Sequence, residues 1–141
     1  MGAAGALGFL PFVAVPFEPT SLRSGALERR AGSFGMISRY SELTGNEVQV
    51  KDLFDLAESG DADADTVLEE TARLVARLIA TIGAVVDPSM VVLGGRMGRR
   101  VVLQKRIGVS VCWCVHKPID LHHSTLGDRA DQECDHRGRL S

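Results

Sequence analysis

The stretch Val91-Val92-Leu93-Gly94-Gly95, with the helical pattern leading into it, decides how this chain is read. From Asp61 to Val86 apolar residues recur at helical spacing. Asp87-Pro88 stops the pattern, because proline cannot continue a helix and disfavours helical backbone at the residue before it. Met90 to Leu93 is a short apolar run that predicts a buried strand, and Gly94-Gly95 then turns the chain at its carboxyl end. In α/β proteins ligands commonly bind just beyond the carboxyl ends of strands, where loops present backbone N–H groups. Two glycines allow positive φ and leave no Cβ in the way of a ligand. The plainer reading of the same residues is a tight helix-to-strand connection with no ligand at all.

Working outward, Asp61, Asp63 and Asp65 lie in or before the first turn of the long helix. Negative charge there complements the helix dipole, by ~0.3–1 kcal/mol per group. From Val67 to Val86 apolar side chains cover well over half the circumference. Such a helix needs cover on more than one side, so a sheet with flanking helices is expected around it. Glu69 and Arg73 form an i,i+4 pair on the remaining face, worth ~0.3 kcal/mol. Upstream, Ser21 to Ala31 predicts a short helix with Ser21 or Ser24 as N-cap and Gly32 as its stop. Phe34 to Leu43 predicts a second. Val48 to Ala57, with Val50, Leu53, Phe54 and Ala57 on one face, predicts a third. Residues 2–17 alternate around Leu7, Phe9 and Phe12, and Pro11 and Pro16 place that segment at a sheet edge.

The length of 141 residues and 15.1 kDa suits one domain with a modest core. Hydrophobic residues at 45% and charged residues at 24% match a soluble globular chain. A net charge of -2 and a pI near 6.1 give no electrostatic basis for nucleic-acid or anionic-membrane binding by this segment. No apolar run approaches the roughly 18 residues of a membrane span. The apolar N-terminus lacks the basic n-region of a signal peptide and is interrupted by glycine and proline, so a cytoplasmic location is expected. One compositional shift stands out. The first 111 residues contain no Cys, His or Trp, and Cys112, Trp113, Cys114, His116, His122, His123, Cys134 and His136 all follow.

Two segments together resemble a known family. GAAGALGFLPF (residues 2–12) is similar to the Gly-rich G-x-x-G-E-x-G-H/F/Y-x-P segment of the ROK family of sugar kinases and sugar-responsive repressors. VKDLFDLAESGDADADTVLEETARLVARLIATIGAVVDPSMVVLGGRMG (residues 50–98) resembles that family's C-terminal lobe, in which D-L-F-x-x-A-x-x-G-D, a long helix, D-P and V-V-L-G-G follow in this order. The resemblance implies an α/β fold: a partial actin-like ATPase (RNase H-like) lobe, with one long buried helix against a small incomplete sheet. It also implies that Gly94 and Gly95 face the adenosine of ATP where the family member is a kinase, ATP being the one cofactor in view. The family's sugar-binding Glu falls at Ala6 and its His at Phe9, both replaced. The zinc motif usual in the family is absent between Phe12 and Tyr40. The first phosphate loop and the general-base Asp belong to the N-terminal lobe, which this stretch does not include.

Residues 1–100 therefore read as a partial ROK C-terminal lobe and 101–141 as an atypical tail, poorly ordered or frame-shifted near Arg99 to Lys105. Val109 to Val115 is the tail's one strand candidate. A zinc site built from Cys112, Cys114 and His116, completed by His122, His123, Cys134 or His136, is a rival reading. Its C-x-C-x-H spacing is shorter than structural zinc motifs use, so no metal is assigned, and no disulfide is expected in the cytoplasm. The expected function is that of an incomplete ROK protein from a carbohydrate-responsive transcriptional regulator, without catalysis of its own. A fragment of an ATP-dependent sugar kinase is the alternative, and an unrelated metal-binding domain a distant one. The resemblance implies a sugar ligand for the full-length relative, no nucleic-acid or membrane contact by this segment, and leaves a homodimer open.

Overall fold

The computed structural model describes residues 7, 10–11, 18–94, 98–115 and 119–123. The chain divides into two compact units, Met1–Thr71 and Ala72–Ser141, with the boundary inside its longest helix.

In the first unit, α1 (Pro19–Ser24) starts on Pro19, whose fixed φ suits the first helical turn. Gly25, at φ 86, ends it, and α2 (Glu28–Ala31) follows. The single helix expected over Ser21 to Ala31 is thus two, because a glycine in positive φ lets the chain turn sharply. Neither serine is an N-cap. Ser21 is buried inside α1, and Ser24 Oγ donates back to the Thr20 carbonyl. Arg29 of α2 holds the turn by donating to Thr20 Oγ1 (2.6 Å) and Ser21 Oγ (3.0 Å).

Gly32 stops α2 as expected, and α3 (Ser33–Thr44) runs to Gly45 at φ 75. Gly35 lets α3 start directly against α2: a Cβ on it would lie 2.3 Å and 2.4 Å from the carbonyl oxygens of Arg29 and Arg30. Gln49 and Asp52 form a capping box for α4 (Val50–Glu58), which buries Leu53 and Phe54. Asp61 then caps α5 (Ala62–Val86), its Oδ1 accepting from the Ala64 N–H at 2.7 Å. Asp63 and Asp65 occupy the first turn, as their charge favours.

Met36, Leu53, Phe54, Val67 and Leu68 form the buried centre of this unit, with Tyr40 beside them. The Tyr40 hydroxyl sits 3.5 Å from Asp61 Oδ2, and burial first, then the Asp61 charge, pushes its pKa up. Arg39 of α3 forks onto Glu70 of α5, Nε to Oε2 at 2.9 Å and Nη2 to Oε1 at 3.0 Å, and Nη1 reaches Glu42. These donors hold the Glu70 carboxyl below its ordinary range.

In the second unit α5 ends at Asp87, which takes φ 47 while its N–H still bonds the Gly83 carbonyl. Aspartate tolerates this left-handed backbone better than most residues, and Pro88 forbids another turn. β1 (Met90–Leu93) pairs in parallel with β2 (Asp120–His123), Met90 opposite Asp120 and Leu93 opposite His123. Between them lies α6 (Val101–Cys114).

Three expectations change here. The strand is not buried on both faces: Met90 and Val92 are 52% and 51% exposed, and Val91 and Leu93 half-buried. A parallel sheet is normally covered on both sides, and two strands leave alternate side chains facing water. The long helix is buried chiefly between Ala64 and Ile79, whereas Val85 and Val86 are 82% and 67% exposed. The strand expected over Val109–Val115 is the last part of α6, because Leu103, Ile107 and Val111, each four residues apart, bury one helical face. Residues 101–123, read from sequence as the first part of a loose tail, therefore supply a helix and a strand paired with β1. The expected edge segment 2–17 falls mostly outside the described residues, as do residues 124–141. Among the described residues no helix is long and apolar enough to cross a membrane.

Two predictions follow from these contacts. Gly35→Ala should cost about 1–3 kcal/mol, since its Cβ meets backbone that cannot rotate away; thermal melting reads the loss. Glu70→Gln should cost much less at pH 7, ~0.2–1 kcal/mol, because the pair is solvent-exposed. Glu70's folded pKa is depressed, so its contribution is present above the unfolded value near pH ~4.3 and is lost as pH falls through the folded value. Melting curves of wild type and Glu70→Gln should converge as the pH falls through that depressed folded value.

Candidate functional site

The parallel register brings the carboxyl ends of β1 and β2 side by side, Leu93 against His123, with the Asp120 N–H bonded to the Ser89 carbonyl at the opposite end. Gly94 leaves β1 at this edge and is exposed. A Cβ built on it meets nothing within 4 Å, and its φ is not positive. Local backbone geometry therefore does not require glycine at 94; what glycine provides there is open space. Gly95, Ala6 and Phe9, the other positions singled out by resemblance, lie outside the described residues.

The third glycine of G-G-x-x-G is the one the fold demands. Gly98 is buried, and a Cβ on it would lie 2.8 Å from both the carbonyl carbon and oxygen of Leu93. Gly98, four positions after Gly94, thus lies against that strand's last residue. Gln104, on the first turn of α6, donates its Nε2 to the Gly98 carbonyl. This bond ties the first turn of α6 to Gly98. Sequence reading passed over Gly98 and Gln104; the recurrence of glycine three residues after the pair was the signal available.

The sequence that follows β1 carries charge of one sign. Between Asp87 and Asp120 the sequence contains no acidic residue, while Arg96, Arg99, Arg100, Lys105, Arg106 and Lys117 are basic. Arg99 and Lys105 are exposed. A segment of this kind lowers the electrostatic energy of a bound anion.

The cysteines do not assemble with it. Cys112 and Cys114 sit on a helix, where residues two apart point in divergent directions, so the shared face that a strand would give C-x-C-x-H is lost. Cys112 is disulfide-bonded, contrary to the expectation of none, and Cys114 is a free, exposed thiol. His122 is half-buried opposite Val92. Among the described residues no group of three or more His, Cys, Asp or Glu side chains could hold a metal ion.

Gly98→Ala should therefore destabilise the second unit by about 1–3 kcal/mol through overpacking against the Leu93 backbone, whereas Gly94→Ala should change the melting temperature little. Equal losses at the two positions would contradict the steric reading. One equivalent of zinc should leave the melting temperature unchanged; a stoichiometric ion surviving dialysis would restore the metal reading.

The ROK family model matches residues 2–128, running past the compositional shift at Cys112. N-acetylmannosamine kinases of Escherichia coli, including those of strain K12 and of O1:K1, are 38% identical over 77 residues, which is 54% of this chain and 26% of theirs. The crystal structure of ROK hexokinase from Thermus thermophilus superposes with a TM-score of 0.71 at 25% identity, over 89% of this chain and 44% of that one. The chain thus spans about a quarter of the length of the curated relatives it matches and less than half of the solved one. With a family match over far more than half of its residues, the chain belongs to the ROK family.

Proposed function

We propose that this chain is the nucleotide-facing part of a sugar-kinase-like ROK protein, in which the Gly94-Gly95 turn lies against the adenosine of ATP. The observation that carries the reading is the open carboxyl end of β1: Gly94 is exposed and free of neighbours within Cβ reach. Nucleotide sites commonly form at such strand ends, and the basic segment from Arg96 to Lys117 has the sign that phosphates require. The likeness to N-acetylmannosamine kinases is consistent with a kinase origin.

Phosphoryl transfer depends on positioning the acceptor and neutralising charge on the phosphates. By family resemblance the phosphate loop and the general base reside in the N-terminal lobe, outside these 141 residues. This stretch by itself therefore contributes binding surface and no catalytic base. The transcriptional-regulator reading rests on a separate observation, that Ala6 and Phe9 stand where the family carries its sugar-binding Glu and His. In a regulator phosphoryl transfer itself is dispensable, which is the sense in which these replacements favour that reading.

Calorimetry with ATP separates the two readings. Saturable binding that Gly94→Val abolishes, with little change in melting temperature, is the expected result, since a Cβ at this position meets nothing within 4 Å. No ATP binding at millimolar concentration would overturn the nucleotide assignment. In a coupled assay of ADP release, the 141-residue chain should phosphorylate neither N-acetylmannosamine nor glucose above a no-protein control.

A further inference from the structure

We draw no further inference here: the strongest candidate, the exposed apolar face left by Val85, Val86, Met90 and Val92 where α5 runs into β1, carries nothing, because nothing in the structure shows what covers it.

Discussion

Burial of the α5 stripe is the constraint on which the rest of the molecule depends. Val67, Leu68, Ala72, Leu74, Ala76 and Ile79 all reach nearly complete burial along one helix. Each fully buried Val, Leu or Ile side chain contributes roughly 1.5–3 kcal/mol. The exposed Arg39–Glu70 fork contributes ~0.2–1 kcal/mol, so it orients α3 on α5 more than it stabilises the pair. Helices α3 and α4 exist for the same reason. Met36, Leu53 and Phe54 have no exposed surface to speak of, and their helices are short enough that tertiary burial must hold them.

Glycines then set how closely neighbours approach. Gly35 and Gly98 occupy positions where a Cβ would collide with backbone, one at the junction of α2 with α3 and the other against the last residue of β1. Gly25, Gly45 and Gly60 do a different job, each turning the chain through positive φ at a helix end. Gly94 does neither. A glycine that local packing and backbone geometry leave unexplained, at the carboxyl end of a parallel strand, is the residue whose smallness a ligand would use.

The exposed apolar residues describe the molecule as plainly as its core does. Val85, Val86, Met90 and Val92 crowd into eight positions of the second unit, and Trp113 stands out from α6. Such density of exposed apolar surface is unusual for a free-standing soluble domain. It fits a chain that spans 44% of the hexokinase it superposes on. The two-stranded parallel sheet belongs to the same picture, since sheets of that kind are seldom stable uncovered.

Local sequence determined the helices and the family. Periodicity placed α3, α4 and α5 within a residue or two, Asp61 and Asp87-Pro88 marked the ends of α5, and fifty residues in register carried the ROK resemblance. Those features are local or linear, so they can be read one window at a time. Val109–Val115 resembles a strand when its apolar residues are taken alone, yet it ends a helix. Only tertiary packing decided that Leu103, Ile107 and Val111 would share a buried helical face, and that Asp120–His123 would pair with β1 from thirty positions away. The same holds for the candidate site. V-V-L-G-G marked the end of a strand, but the need for glycine at 98 arises from the backbone of Leu93, a neighbour that appears only in the folded chain.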